Sequence, residues 1–270
     1  MSFNFDLNTF VLGIIQGLCE FLPVSSSGHL AILQNFFNMG NEENLAFDLF
    51  LHCATVLAIL IYFRREILKI IYDWFTGWFK KDKGGGWLYG WQIFIVTFLT
   101  GVIGLPLRKV AEKFLTSLTS IGCGLIFTAI ILALVPVISK RNKKYSWFTT
   151  ALIIGIAQGI AVLPGVSRSG MTIAAGILAG LGFAEAFEFS FIASVPAVLG
   201  AALLEGLKAL KSGELFMPSG WIFAILIAFI LGLVTLNFMR KLVISGRWAY
   251  FGLYCLAVGS AVILFSLKIF

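Results

Sequence analysis

Charged side chains are scarce in this chain. Asp, Glu, Lys and Arg make up 12% of its 270 residues, whereas hydrophobic residues make up 59%. Soluble domains carry about twice that charged fraction. No segment is both long and polar enough to fold as a soluble domain. The composition therefore predicts a single integral membrane domain over residues 1–270.

Patterns that would indicate a metal site, disulfides or a cleaved leader are also lacking. The four cysteines are isolated within apolar segments and show no CxxC spacing, so we expect buried free thiols. The first eight residues, MSFNFDLN, contain no Lys or Arg, whereas a cleavable signal peptide begins with a basic region. We therefore expect the sequence to begin at the N-terminus of the mature protein. The cysteines are Cys19, Cys53, Cys123 and Cys255.

The chain does contain an internal repeat, which constrains the whole fold. Gly13–Leu30, GIIQGLCEFLPVSSSGHL, aligns without a gap with Gly155–Thr172, GIAQGIAVLPGVSRSGMT, at an offset of 142 residues. Each copy is a polar interruption, rich in Gly and Ser, within apolar sequence. The repeat predicts two halves, residues 1–140 and 141–270.

Hydrophobic run length predicts how the chain crosses the bilayer. A spanning helix takes about 20 apolar residues, and six segments satisfy this. Four shorter apolar segments bracket the two repeat motifs. Since non-helical backbone at membrane depth must be surrounded by protein or a water-filled cavity, each motif predicts a re-entrant helix–loop–helix hairpin. The predicted spans are residues 47–63, 87–107, 118–138, 187–204, 219–238 and 249–267, and the short segments are 8–22, 29–38, 147–163 and 171–183.

These elements predict an all-α polytopic membrane protein with six transmembrane helices and two re-entrant hairpins in an inverted-topology repeat. Each half crosses three times, so the second half starts from the opposite face and the two loops meet near the midplane. The positive-inside rule puts both termini outside, with the first hairpin entering from outside. The net charge of +7 comes from basic residues in short loops. That distribution is typical of the charge bias that orients a membrane protein and of contact with anionic headgroups, and not of nucleic-acid binding. The predicted cytoplasmic loops hold Arg64, Arg65, Lys69, Lys80, Lys81, Lys83, Lys140, Arg141, Lys143, Lys144, Arg240, Lys241 and Arg247.

The two motifs carry the side chains suited to chemistry. Gln16 and Glu20 are four residues apart and therefore share a helix face. A Ser/Gly turn leading into a helix binds anions through free N–H groups and the helix dipole. Two facing turns predict a phosphate cradle with Arg168 as its fixed cation. The predicted phosphate-binding residues are Gln16, Ser25, Ser27, Gly28, Gly165, Ser167, Ser169, Gly170 and Thr172.

Some of these polar residues also suit purely structural roles. Gln16 and Gln158 are able to hydrogen-bond across helices, and Arg168 could simply neutralise Glu20. Glu20 is otherwise a candidate general acid or base. Four further ionisable residues lie at span ends or one turn inside, where pairing and function are equally expected: Asp48, His52, Glu188 and Glu205.

The motifs QGLCEFLPVSSSGH (16–29) and PGVSRSGMT (164–172), followed by EFSFIASVPA (188–197), resemble the undecaprenyl-diphosphatase family of the BacA type. These bacterial membrane enzymes recycle the C55 lipid carrier of cell-wall synthesis. The resemblance covers essentially the whole chain. It implies the inverted re-entrant architecture, a site opening toward the outer face of the bacterial inner membrane, and a link to bacitracin resistance.

Position by position, the resemblance implies catalytic roles for Glu20, Ser26, His29 and Arg168. Ser26 is the implied nucleophile and Arg168 the implied phosphate clamp. The family also implies stimulation by Mg²⁺ or Ca²⁺, although this sequence shows no ligand cluster of its own. Relatives differ at the first position of (E/Q)xxxE, and Gln16 cannot contribute charge there, which leaves Glu20 as the candidate metal ligand.

The implied reaction is hydrolysis of undecaprenyl diphosphate to undecaprenyl phosphate and inorganic phosphate. Ser26 would attack the terminal phosphorus while His29 or Glu20 takes the proton, and water would then hydrolyse the phosphoserine. Direct attack by water, with Ser26 only orienting it, stays open.

Two other functions compete with this reaction. A lipid-phosphate transporter is the alternative, because inverted repeats with broken helices are common in transporters. An acid-phosphatase-like lipid phosphatase is disfavoured, because it needs a later helical histidine and both histidines here lie early. Expected partners are the polyprenyl diphosphate and membrane lipids, without nucleic acid, and a homodimer is left open.

Overall fold

The computed structural model describes residues 6–39, 41–80, 85–114, 117–139, 144–212 and 217–268. Within these ranges the chain is helical and contains no strand, which confirms the predicted all-α fold. The helices are α1 Leu7–Cys19, α2 Ser26–Phe36, α3 Asn41–Tyr62, α4 Arg64–Thr76, α5 Gly85–Phe114, α6 Leu118–Ile138, α7 Trp147–Ile160, α8 Arg168–Leu178, α9 Phe183–Ser212, α10 Trp221–Ile244 and α11 Phe251–Ser266, with a 3-10 turn at Arg247–Tyr250 before α11.

The long apolar helices confirm a protein that crosses the membrane several times. Helices α5, α6, α9 and α10, together with Arg247–Ser266, are each long and apolar enough to span a bilayer. Helix α3 provides a sixth span when it is counted with α4, from which a bend of 78° separates it. Helices α1 and α7 are apolar but too short to span, as the hairpin prediction requires.

The segment after the first span was predicted to be a loop, and this is wrong. It forms helix α4, whose charged residues at Arg64, Arg65 and Lys69 alternate with exposed apolar side chains such as Leu68 and Phe75. That amphipathic pattern suits a helix lying along the membrane interface. Of the basic residues predicted for this loop, Lys81 and Lys83 lie outside the described residues, and the next helix, α5, begins at position 85.

The short helices begin earlier than predicted because serine caps set their first residues. The Ser25 hydroxyl accepts a hydrogen bond from the Gly28 N–H at 3.3 Å, so α2 begins at position 26. Ser167 caps α8 in the same way, accepting from the Gly170 N–H at 3.1 Å. Capping serines satisfy N–H groups that the first helical turn leaves unpaired. Ser26 and the repeat-equivalent Arg168 therefore each occupy the first position of a short helix.

Helix packing follows the repeat. Helix α1 packs against α10 and the equivalent helix α7 packs against α5, while α6 pairs with α11. Glycines shared by both repeat copies allow the close approach. A Cβ on Gly13 would lie 2.4 Å from the Ala224 carbonyl oxygen, and one on Gly155 would lie 2.9 Å from the Leu99 side chain. Small residues at helix contacts are typical of membrane bundles. The boundary of the halves at position 140 stays a prediction.

The thiols are only partly as predicted. All four cysteines are free, and Cys19 and Cys255 are buried. Cys53 is half-buried, however, and Cys123 is exposed. Burial of Cys123 was expected because its segment is apolar, but in a membrane protein an apolar segment also covers the surface that faces lipid.

Candidate active site

The loops of the two hairpins lie against each other, as the repeat predicts. A Cβ on Gly28 would lie 3.2 Å from the Gly165 Cα, and one on Gly170 would lie 3.3 Å from the Pro23 Cβ. The Ser169 hydroxyl donates a hydrogen bond to the Leu22 carbonyl oxygen at 3.2 Å. The site is therefore built from both halves of the chain.

Helix α6 holds the second loop in place. Gly165 has a φ of +78°, in the left-handed region, and a Cβ there would lie 2.1 Å from the Ile121 carbonyl oxygen. The buried Thr128 hydroxyl accepts from the Ser167 N–H at 2.9 Å and lies 3.2 Å from the Gly165 carbonyl oxygen. Thr128 is not among the residues predicted from sequence, since a lone threonine in an apolar span gives no signal.

Glu20 connects the two hairpins. It directly follows α1, and its side chain is 7% exposed. One carboxylate oxygen, Oε1, accepts a hydrogen bond from Arg168 at 2.8 Å. The other, Oε2, accepts from the Ser26 hydroxyl at 2.5 Å and from Gln16 Nε2 at 3.1 Å. A buried carboxylate requires such pairing, because burying an unpaired charge is costly.

Arg168 faces both Glu20 and open space. Its side chain is 27% exposed and lines a cavity beside the loops. The hydrogen bond to Glu20 uses one of the five N–H donors that a guanidinium carries. Arg168 therefore does neutralise Glu20, as the structural interpretation predicts. Its remaining N–H groups keep the capacity to contact an anion as well.

The ring nitrogens of His29 have partners other than Glu20, Ser26 and Arg168. Its Nδ1 lies 2.8 Å from the Ser25 carbonyl oxygen and its Nε2 lies 2.8 Å from the Tyr254 hydroxyl. The ring stacks on the Tyr254 ring at 5.7 Å. The structure therefore joins His29 to α11 instead of to Ser26 or Glu20, and its implied catalytic role stays a prediction. Tyr254 was missed because it lies in a uniformly apolar helix.

Helix α3 contributes two residues whose roles the sequence leaves open. His52 Nδ1 lies 3.0 Å from Gln16 Nε2 and 3.4 Å from Glu20 Oε2. One turn earlier, Asp48 accepts a hydrogen bond from Gln34 Nε2 at 2.7 Å. Both His52 and Asp48 line the cavity. Folding therefore adds a histidine and a carboxylate to the motif residues.

The remaining predicted phosphate-binding hydroxyls divide into two sets. Ser27 is exposed and lines the cavity. Ser167 and Ser169 hydrogen-bond to each other at 3.2 Å, and Thr172 donates to the Arg168 carbonyl oxygen at 2.8 Å. This second set shapes the loop and the start of α8. Gln158 also has a structural partner, donating to Thr100 Oγ1 at 2.9 Å.

The cavity has a volume of about 1140 Å³, above the range of roughly 300–1,000 Å³ usual for small-molecule sites. It extends from Glu20 and Arg168 to an ion pair between Arg108 on α5 and Glu205 on α9. The residues of α5 and α9 that line it are mainly apolar or small, such as Leu105 and Leu203. The cavity thus combines the polar groups around Glu20 and Arg168 with a largely apolar lining.

Comparison with known proteins identifies the family. The family model described as "Bacitracin resistance protein BacA" matches residues 9–261. The chain belongs to the BacA family. It is 40% identical over 261 residues to an undecaprenyl-diphosphatase of Bacteroides fragilis, covering 95% of this chain and 96% of that protein. An undecaprenyl-diphosphatase of Methanococcus vannielii is 35% identical over 261 residues, covering 96% of this chain and 100% of that protein.

The donor set around Glu20 does not fit a divalent cation held by the BacA-family chain itself. Both Glu20 oxygens accept hydrogen bonds, and Gln16 turns its NH₂ group toward the carboxylate. The described parts of the chain contain no group of three His, Cys, Asp or Glu side chains placed to hold a metal. Mg²⁺ and Ca²⁺ require oxygen ligands, and the positive charge of Arg168 beside the carboxylate opposes a second cation.

Proposed function

We propose that this BacA-family chain is an undecaprenyl-diphosphate phosphatase that releases undecaprenyl phosphate and inorganic phosphate. The observation that carries the proposal is the junction between the hairpins. There the Ser26 hydroxyl lies 2.5 Å from one oxygen of Glu20 and Arg168 lies 2.8 Å from the other. Full-length relatives at 35–40% identity bear the same enzyme name, which supports this assignment.

In the proposed mechanism Ser26 is the nucleophile and Glu20 the general base. The Ser26–Glu20 distance lies at the short end of hydrogen-bond reach, as a base requires. The Ser26 oxygen bonds to the terminal phosphorus as its proton passes to Glu20, and the lipid monophosphate leaves. Water then hydrolyses the phosphoserine. Direct attack by water that Ser26 orients is the competing route, and trapping of a phosphoenzyme separates the two.

Charge stabilisation would come from Arg168 and from the N-termini of α2 and α8. Phosphoryl transfer depends mainly on positioning and on neutralising negative charge. Free N–H groups and the helix dipole favour an anion at a helix N-terminus. Because Ser26 and Arg168 begin these two helices, an anion at the junction would face both N-termini.

The cavity suggests how the lipid binds. The diphosphate would lie against Arg168, with part of the prenyl chain along the apolar walls between α5 and α9. We place the protein in the bacterial inner membrane, with both termini outside and the site opening toward the outer face. There it would recycle the lipid carrier for cell-wall synthesis and confer bacitracin resistance. A requirement for Mg²⁺ or Ca²⁺, carried in by the diphosphate, is a separate proposal that addition of EDTA tests.

The decisive assay measures phosphate release from undecaprenyl diphosphate by purified protein in detergent, where no gradient exists and a transporter would release nothing. We expect Ser26→Ala and Arg168→Ala each to lower kcat/KM by about 10²–10³-fold. Ser245→Ala, at an exposed serine capping the end of α10, is the matched control and is expected to be unchanged. Full phosphate release by both site variants would refute the assignment.

A further inference from the structure

The group around Glu20 contains a histidine that the mechanism above does not use. Glu20 Oε2 accepts a hydrogen bond from the Ser26 hydroxyl at 2.5 Å and lies 3.4 Å from His52 Nδ1. A single carboxylate oxygen therefore lies between the proposed nucleophile and an imidazole ring.

We propose that His52 is the proton relay of this site, taking from Glu20 the proton that Ser26 gives up and passing it to the cavity. The inference rests on the proposed function. His52 acts on Glu20 and not on the substrate, so it is a positioning residue that holds and moves a proton.

Glu20 needs such an outlet because of its other oxygen. Oε1 is hydrogen-bonded to Arg168 at 2.8 Å. If the proton stayed on Glu20, its ion pair with Arg168 would be lost, and the carboxyl group could not take the proton of the attacking water in the second half of the reaction. Transfer to His52 restores the ion pair before the second half of the reaction.

The position of His52 suits this role better than that of His29. The His29 nitrogens already contact the Ser25 carbonyl oxygen and the Tyr254 hydroxyl. His52, in contrast, is 24% exposed and lines the cavity. Uptake of a proton at Nδ1 and loss of the other ring proton from Nε2 would deliver a proton to solvent entering the cavity.

Gln16 is a hydrogen-bond donor to the neutral form of His52. Its NH₂ group lies 3.0 Å from His52 Nδ1, and neutral imidazole accepts such a hydrogen bond. The buried carbonyl oxygen Oε1 of Gln16 has no hydrogen-bond partner in the described structure.

The charges around His52 also suit a transient cation. Glu20 faces it from the end of α1, Asp48 lies one turn earlier on α3, and Arg168 faces it from α8. Gln16 contacts the ring, and the Thr55 hydroxyl donates a hydrogen bond to the His52 carbonyl oxygen at 2.9 Å. With two carboxylates and one guanidinium nearby, an imidazolium would balance the local charge.

The proton balance of hydrolysis accounts for one transfer through His52. In the first half, the Ser26 O–H bond breaks, the Oγ–P bond forms, and the bridging P–O bond breaks with its electron pair going to the lipid phosphate. The Ser26 proton moves through Glu20 to His52 and leaves. In the second half, water bonds to phosphorus and gives a proton to Glu20, which returns it to the departing Ser26 oxygen. A trianionic diphosphate thus yields two dianions and one released proton.

His52→Asn tests the relay, because the asparagine oxygen can accept the Gln16 hydrogen bond but cannot carry a proton. We expect kcat for phosphate release to fall about 100-fold with KM within about twofold, and the acidic limb of the kcat–pH profile to disappear. Cys53→Ala, at the adjacent half-buried position, is the matched control and should behave as wild type. A His52→Asn protein with kcat within about threefold of wild type and an unchanged acidic limb would overturn the relay.

The wild-type protein provides a second test that does not depend on the variant folding. Imidazole ionisation has a large enthalpy and carboxyl ionisation almost none, so the acidic limb should shift toward lower pH on warming. A limb that stays fixed with temperature would contradict the relay. Failure of the proposed function would look different, since Ser26→Ala and Arg168→Ala would then keep their activity.

Discussion

Replacement of Gly165 by alanine should show how strongly the fold depends on the second hairpin loop. Gly165 has a φ of +78°, and a Cβ would lie 2.1 Å from the Ile121 carbonyl oxygen and 3.0 Å from the Leu125 nitrogen. Both obstacles are backbone atoms of α6, so no side-chain rotation relieves them. The loop or α6 must move, and Arg168, three residues later, would move with it.

Two contributions set the size of the effect. Placing alanine in the left-handed region costs about 1–2 kcal/mol. Forcing a methyl group into a filled site costs about 1–3 kcal/mol more. Gly246 allows the backbone cost to be measured without the steric cost. It has a φ of +73°, and a Cβ there would have no neighbouring atom within 4 Å. Gly246→Ala should therefore lose only the first contribution.

The assay compares thermal unfolding in detergent and phosphate release for the two variants. We expect Gly165→Ala to unfold at a lower temperature than Gly246→Ala. Its kcat should fall about 100-fold, since a displacement of about 1 Å in a catalytic group has that effect. Gly246→Ala should retain wild-type release. Equal unfolding temperatures, with release intact in both, would refute the close packing of Gly165 on α6.

Three further changes test individual contacts. Thr128→Val removes the partner of the Ser167 N–H, a buried bond of 2.9 Å, and should lower the free energy of unfolding by about 1–3 kcal/mol, measured by chemical denaturation. Glu20→Gln keeps the side-chain shape but removes the base, so phosphate release should fall about 10²–10⁴-fold; release within tenfold of wild type would exclude a basic role. Tyr254→Phe removes the hydroxyl that contacts His29 Nε2 but keeps the ring stack. If His29 is structural, kcat should change less than about threefold. A large loss of kcat with normal stability would place His29 in the chemistry.

Much of this architecture was accessible from sequence because bilayer length and helix capping are local constraints. Apolar runs of the right length located the spans, and the repeat located the hairpins. The main error, α4, arose because its charged residues match both a loop and the polar face of a helix. The three-residue error at α2 has a similar origin, since a serine run does not reveal which hydroxyl caps the helix.

The sequence by itself determined the membrane class, the two motifs and the presence of Glu20, Ser26 and Arg168 within them, because each rests on composition or spacing. Only the tertiary structure decided which of these side chains meet. It joined Ser26 to Glu20, turned His29 toward Tyr254, and brought His52 from α3 to the same carboxylate. Those contacts depend on how α3, α8 and α11 pack around the hairpins, and packing joins residues whose separation along the chain carries no signal.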